Sequence, residues 1–340
     1  MRIVIAPQEL KGSLTAVEAT AAMATGVARA LAATGRTAEV DRIPVADGGP
    51  GTVAALVAAT AGKLRHATAR DPLGRPVRAA FGLLPDGTAV VEMAAAAGLT
   101  LLRPEERDPL RAGTEGVGDL IRAAIDGGAQ RIIVGLGGSA TNDGGAGMAR
   151  ALGVRLLDAD GADLPPGGLA LTHLARIDVA DLDPRLRDIA VVGATDVRNP
   201  LCADRKAPAP CTAPEGRDAG GRGAARRGAA PVRRRGHARS RPQCLDTPGA
   251  GRRAGWAPLA FLGATLRSGF DLVAEVTRLE ERLAGAARSP SPVRAAWTVQ
   301  SIYGKTTVGV ARLARAQAVP CVALCGGLGD GWEAQRWRRG

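Results

Sequence analysis

Arg131-Ile132-Ile133-Val134-Gly135-Leu136-Gly137-Gly138-Ser139-Ala140-Thr141-Asn142-Asp143 is the stretch on which the fold class turns. Its apolar, β-branched start, stopped by clustered glycines, predicts a buried strand over Arg131 to Leu136. Helical spacing follows and predicts a helix over Asn142 to Leu152. Strand, glycine loop and helix in that order make one βα unit of a parallel sheet. The same alternation spreads outward. Strands are predicted over Arg2 to Ala6, Glu39 to Val45, Ile189 to Ala194 and Cys321 to Cys325. Helices are predicted over Thr15 to Ala33, with Ser13 or Thr15 as the cap, and over Thr114 to Asp126, Pro258 to Leu266, Asp271 to Leu283 and Lys305 to Ala316. Arg65 to Arg70, Val77 to Leu83 and Ala89 to Met93 read as strands joined by turns at Pro72-Leu73-Gly74 and Pro85-Asp86-Gly87. With no helix between them, they are expected to form an antiparallel insertion. The class is α/β.

Composition agrees. In 340 residues, 46% are hydrophobic but only 2% aromatic, so alanine, valine and leucine must fill the core, which suits layered α/β packing. No run of about 18 apolar residues exists, which excludes a membrane-spanning helix. The first residues read as a core strand and not as a leader. Five cysteines lack metal-type spacing, and an odd count argues against a disulfide framework. A cytoplasmic protein is expected. The net charge of +12 invites a nucleic-acid reading, but its distribution does not support one. Residues 203–254 carry 13 Lys and Arg against 4 Asp and Glu, and three arginines stand in the last six residues. The remainder is neutral.

Four motifs sit at predicted strand ends: Lys11-Gly12-Ser13, Asp47-Gly48-Gly49, the loop from Gly137 to Asp143, and Thr195-Asp196. In an open α/β sheet the carboxyl ends of the strands form the ligand crevice. Glycines let backbone approach an anion, and a following helix points free N–H groups at it. Lys11 supplies a point charge, while Asp47 and Asp196 could hold Mg²⁺ or remove a hydroxyl proton. Each motif alone has a plainer reading: a turn for the glycine pairs, a solvated lysine, and helix caps for Asn142 and Asp143. Their joint placement favours a site. Gly135 to Ala140 also fits the dinucleotide turn G-x-G-x-x-A with Asp158 downstream, which keeps a nicotinamide oxidoreductase open. Gly304-Lys305-Thr306 resembles the end of a phosphate loop whose leading glycine is missing. His66, His173 and His237 are scattered, so a histidine-based triad is not expected.

Taken in order, Ile5-Ala6-Pro7, Leu10 to Leu14, Ala46 to Gly49, Asp71 to Gly74, Glu92-Met93-Ala94, Gly137 to Asp143, Asp196-Val197 and Asn199-Pro200-Leu201 resemble the bacterial type I glycerate kinases. The resemblance runs from Met1 to about Cys202 and again from Pro258 to about Glu333. It implies a Rossmann-like parallel-sheet domain with a second, smaller α/β domain. It also implies phosphorylation of D-glycerate by ATP with Mg²⁺, at the 2-hydroxyl, with neither nucleic acid nor membrane as partner. Lys11, Asp47 and Asp196 would then be catalytic, the two aspartates also serving the metal. Gly48, Gly49, Gly137, Gly138, Ser139, Thr141 and Asn142 would bind substrate or phosphate. The first domain is expected over 1–63, 112–202 and 256–340, with 64–111 as the β-rich part of the second. Gln8 and Pro50 depart from the aspartate and glutamate usual in the family, which puts a metal or base role at position 8 in doubt.

Residues 203–254 fit none of this. Val232 and Leu245 are their only large apolar members, too few to offset an ordering cost of about 1–2 kcal/mol per residue, so disorder is expected. The genetic code suggests a cause. Back-translated and read from the third base, Ala203 to Ala213 permits G-P-E-G-A-S-A-V-Y-G-P, and Pro214 to Gly220 read from the second permits Q-K-G-A-T-P-E. Arg288 to Val299 read from third bases permits V-T-V-T-G-E-G-R-L-D-G. These strings resemble the family's missing segments in the right order, so out-of-frame translation is expected near 203–254 and 286–299. The competing reading is a genuine basic arm that binds nucleic acid, although it lacks aromatic residues and a helical basic face. The prolines of Ser289 to Pro292 are expected to forbid a central strand.

Overall fold

The computed structural model describes residues 1–10, 12–195, 262–284, 286, 289–292 and 306–324. In chain order the elements begin with β1 (Arg2–Ile5), α1 (Ala16–Ala33), β2 (Glu39–Arg42), α2 (Thr52–Thr60), β3 (Lys63–Arg70), β4 (Pro76–Leu83) and β5 (Thr88–Glu92). They continue with α3 (Met93–Ala97), α4 (Glu115–Asp126), β6 (Arg131–Gly135), α5 (Ala146–Ala151), β7 (Arg155–Leu157), β8 (Arg176–Asp178) and β9 (Ala190–Ala194). Last come β10 (Thr265–Arg267), α6 (Gly269–Val276), α7 (Leu279–Leu283), β11 (Ser289–Pro292), α8 (Thr306–Ala316) and β12 (Cys321–Leu324). The expected α/β class is observed, in two compact units. Among the described residues no helix is long and apolar enough to cross a membrane.

The first unit comprises Met1–Asp47, Gly51–Lys63 and Ser268–Gly340. β1 and β2 pair in parallel around α1, and the pairing continues past β2 through Ile43 N–H to Ile5 O and Val45 N–H to Pro7 O, both 2.9 Å. Thr15 and Glu18 form a reciprocal capping box: Thr15 Oγ1 accepts from Glu18 N–H at 3.2 Å, and Glu18 accepts from Thr15 N–H at 2.9 Å. Small residues (Ala16, Ala19, Thr20, Ala24) form the buried face of α1. Asp41 accepts from Arg2 at 2.9 Å and from Arg282 Nε at 3.0 Å. Burial opposes its ionisation, but the hydrogen bonds and charges of Arg282 and Arg2 outweigh burial and lower its pKa.

One expectation for this unit needs correction. The single helix over Asp271 to Leu283 is instead α6 and α7, because Arg278 adopts the left-handed conformation at φ 52° and ends the first run. Ser289 to Pro292, expected not to serve as a central strand, forms β11, which among the described residues pairs in parallel with β12 alone. Its prolines are two residues apart, so both missing donors fall on one edge and the other keeps its serine N–H groups.

The second unit comprises Gly48–Pro50 and Leu64–Arg267. Its six-stranded sheet has the order β10-β9-β6-β5-β4-β3. β10, β9, β6 and β5 run parallel, and β4 is antiparallel to β5. Segments 64–111 and 112–202, assigned to different domains on sequence grounds, therefore share one sheet through the β5–β6 pair. The expected insertion is antiparallel only beyond β5, because β5 enters the sheet as a parallel neighbour. Residues 258–266 were expected to be helical. Thr265–Arg267 is a strand, stabilised by pairing with β9, while 258–261 lie outside the described residues. The helix expected from Asn142 starts only at Ala146. α4 lays Val117, Leu120, Ile121 and Ala124 on Val91, Ile132 and Val134 of the sheet, all essentially inaccessible to solvent. The segment 203–254, expected to be disordered, and the recoded stretch from 293 to 299 lie outside the described residues.

Candidate active site

Strand register sets the frame of the site. Glu92 of β5 pairs with Gly135 of β6, Gly135 with Ala194 of β9, and Ala194 with Arg267 of β10. Four parallel strands therefore end in line, and the chain leaving each one starts from the same edge. Ligands of open α/β sheets bind at such an edge. The loop 137–143 and Thr195 leave from it, as the sequence predicted. Glu92, which was not nominated, is buried on this edge; its signal was an acidic residue closing an otherwise apolar strand.

Gly48 lies against the ends of β6 and β9. Its carbonyl accepts from Gly137 N–H at 2.9 Å, and a Cβ built on it would stand 2.4 Å from Ala194 O. A Cβ on Gly137 would stand 2.5 Å from Gly49 Cα. These glycines bring two backbone segments within contact, a use as demanding of small size as anion binding. Gly48 also has φ +83°. Gly48→Ala is therefore expected to destabilise the protein by about 2–3 kcal/mol, from strain and overlap together. Gly35→Ala, at φ +61° with nothing within 4 Å, should cost only about 1 kcal/mol. Urea unfolding of both variants checks this, and equal losses would show that the Ala194 contact yields freely.

The loop itself is held on three sides. Ala140 N–H donates to Ala97 O at 2.8 Å and Leu99 N–H to Gly138 O at 3.1 Å, which joins the loop to the chain after β5. Within it, Ser139 Oγ and Thr141 Oγ1 share a 2.8 Å hydrogen bond, and Thr141 N–H donates to Ser139 Oγ at 3.1 Å. Ser139, Thr141 and Asn142 are all buried. The Asn142 amide has no hydrogen-bond partner among the described residues, which leaves it able to meet a ligand.

The third support is Asp143, 1% exposed. Its Oδ2 accepts from Thr114 N–H (2.9 Å), Thr114 Oγ1 (2.7 Å) and Gly147 N–H (3.0 Å), and its Oδ1 from Gly145 N–H (2.9 Å). Thr114 Oγ1 in turn accepts from Met148 N–H at 3.0 Å. Burial raises the Asp143 carboxyl to about 6, aided by the charge of Glu115; the bonds from Thr114, Gly147 and Gly145 pull the other way without winning. Sequence alone left Asp143 as a cap, since nothing local ties residue 143 to residue 114.

Of the nominated residues, the structure gathers Gly48, Gly49, Gly137 and Gly138, with Ser139, Thr141 and Asn142 on the same loop. Asp47 is half-buried and precedes Gly48 directly. Lys11 and Asp196 lie outside the described residues, as does Gly304-Lys305. Among the described residues no three His, Cys, Asp or Glu side chains gather as a metal site. A Mg²⁺ shared with phosphate needs only one or two carboxylates, a role open to Asp47. The nicotinamide alternative fares worse. Its fingerprint requires a compact βαβ unit in which the strand after the helix returns to the sheet, but β7, which follows α5, leaves the sheet to pair antiparallel with β8, and the parallel neighbour β9 comes only later in the chain. Asp158, the expected ribose ligand, accepts from Asp160 and Ala162 N–H in a turn. His66 and His173 are exposed.

Comparison with known proteins gives the same direction. Residues 3–338 match the model of the glycerate kinase family. The chain is 42% identical to the glycerate kinase of Bacillus subtilis (strain 168), over 96% of this chain and 85% of that one. It is 41% identical to the glycerate 2-kinase of Escherichia coli (strain K12), over 97% and 86%. A crystal structure from Salmonella typhimurium LT2, provisionally assigned as glycerate kinase 2, superposes with a TM-score of 0.83 at 38% identity, covering 97% of this chain and 90% of that one. Strand-end motifs, register and relatives agree: the chain belongs to the glycerate kinase family.

Proposed function

We propose that this chain derives from an ATP-dependent kinase that phosphorylates D-glycerate at its 2-hydroxyl, giving 2-phosphoglycerate and ADP, in the cytoplasm, and that the chain as written is impaired in that reaction. The observation that supports it most is the loop 137–143, anchored at a line of four parallel strand ends by Gly48, Ala97 and Asp143. In phosphoryl transfer a protein mainly positions reactants and offsets charge, so a loop fixed from several directions is the part such chemistry requires. The glycerate oxygen bonds to the γ-phosphorus while the bond from phosphorus to the ADP oxygen breaks, and the hydroxyl proton passes to a carboxylate. Asp196 and Asp47 are the candidates for that base. Gly137, Gly138, Ser139, Thr141 and Asn142 offer backbone and side-chain donors on the phosphate or substrate side, and Lys11 clamps an anion. Mg²⁺, when bound, would offset phosphate charge, and Asp47 and Asp196 would hold it.

A thermal-shift panel tests the class of ligand, because any molecule that favours the folded state raises the melting point. ATP with Mg²⁺ and glycerate should raise it. A response to NAD(P) alone would favour the oxidoreductase, and a salt-sensitive response to an oligonucleotide would favour the basic arm. With the reading frame restored, Asp196→Asn should lower phosphoglycerate formation by about 10²-fold or more if Asp196 is the base. A nearly unchanged turnover would remove it from that role.

A further inference from the structure

We propose a second ligand site in the second unit, one that takes a small hydroxylated polyanion bearing two or more carboxylate or phosphate charges. The site is a cavity of about 990 Å³ between the turn after β3, the two ends of α4, the end of α5 and residues 181–185. That volume lies at the upper end of the range for small-molecule pockets, roughly 300–1,000 Å³. No residue of Gly48–Pro50 or of the loop 137–142 lines it.

Five arginines line the cavity, and their pairing sorts them. Arg70 forks onto Asp119 at 2.8 and 2.7 Å. Arg122 donates to Ala151 O at 2.7 Å, and Arg185 is divided between Asp183 and Asp126 at 2.7 Å each. These three are committed. Arg111 is exposed, and its guanidinium has no partner among the described residues. Arg150 has only a long approach to Glu115, 3.9 Å from Nη1 to Oε1. Arg111 is thus unpaired among the described residues, and Arg150 holds only a long ion pair without a hydrogen bond, so both can turn paired N–H donors to anionic oxygens.

Glu115 supplies the complementary half. It is 8% exposed, and its Oε1 accepts no hydrogen bond. A buried carboxylate oxygen without a donor is costly, so a ligand hydroxyl placed there would gain a charge-assisted bond that an unsubstituted anion cannot make. Two cationic donors beside one anionic acceptor therefore select for a hydroxyl next to negative groups. Asp181, exposed at the rim, disfavours simple crowding of charge and makes the ligand's shape matter. Thr114 adjoins Glu115 and holds Asp143, so the cavity wall and the glycine loop share one support.

The test is a titration of the full chain at low ionic strength without metal, and it needs no turnover. Citrate and glycerol 3-phosphate represent hydroxylated carboxylate and phosphate ligands, and tricarballylate is citrate without its hydroxyl. One equivalent of citrate or of glycerol 3-phosphate should bind, and citrate should bind about tenfold more tightly than tricarballylate. The stronger of the two hydroxylated probes names the preferred anionic group. Arg111→Ala, at an exposed position that should leave the fold intact, and Arg150→Gln should each weaken binding about tenfold. Glu115→Gln should narrow the preference for citrate over tricarballylate. Arg111→Ala should leave the thermal shift with ATP unchanged. The site is overturned if citrate and tricarballylate bind alike, if neither arginine substitution matters, or if ATP displaces the bound anion.

Discussion

Restoring the family reading frame across 203–254 and 286–299 is expected to raise ATP-dependent phosphoglycerate formation by at least about 10³-fold over the 340-residue chain as written. Read in the other frame, 288–299 carries a glutamate, an arginine and an aspartate in one short loop, which the resemblance places beside the cleft. Such groups stabilise charge on the transferring phosphoryl group, and losing a single preorganised donor commonly costs about 10²–10³-fold. Three are absent here. Most of the second unit is unaffected, since its sheet and the glycine loop are built from residues before 196 and from β10. The chain as written should therefore fold over residues 1–195 while turning over slowly or not at all. Both versions, expressed side by side, should give similar far-ultraviolet spectra and very different rates. Comparable rates would show that the recoded segments are dispensable.

Asp143→Ala is expected to cost roughly 3–5 kcal/mol. It leaves three backbone N–H groups and the Thr114 hydroxyl without an acceptor in a place that water scarcely reaches. Each such orphan costs about 1–3 kcal/mol, and relaxation recovers part of the sum. Asp143→Asn keeps the volume but turns an amide N–H toward donors, so it should cost less. The pH dependence has a definite sign. Burial raises the folded carboxyl to about 6, above its unfolded value near 4, so the folded state binds this proton more readily. The stability this group contributes is complete below pH 4, falls as pH rises toward 6, and is level beyond. The advantage of the native protein over Asp143→Asn should therefore narrow between pH 4 and 6 in urea titrations. A gap independent of pH would mean that Asp143 titrates like an ordinary surface carboxylate. The thermal response to ATP and glycerate should also shrink in Asp143→Ala, because Asp143 holds the end of the loop that carries Asn142.

What the sequence alone determined was local in cause. The alternation of apolar runs with helical spacing located most elements within a few residues, since strand and helix periods are fixed by backbone geometry. Thr15 and Glu18 marked the start of α1 because a capping box needs only four consecutive residues. The strand-end placement of Gly137 to Asn142 was legible because a glycine loop after a buried strand has few other uses. What only the tertiary structure decided depends on residues far apart in the chain. β10 looked helical at 258–266 until β9 offered it an edge, and hydrogen bonds to a neighbouring strand outweigh a weak local preference. Segments 64–111 looked like a separate insertion until β5 paired with β6. Asp143 looked like a cap until Thr114, 29 residues away in sequence, supplied two of its four donors. The unpaired Arg111 and the loosely paired Arg150 could not be told from the committed arginines by sequence, because an arginine's partner is chosen by the fold. Periodicity is written along the chain, whereas burial and pairing exist only once distant segments meet.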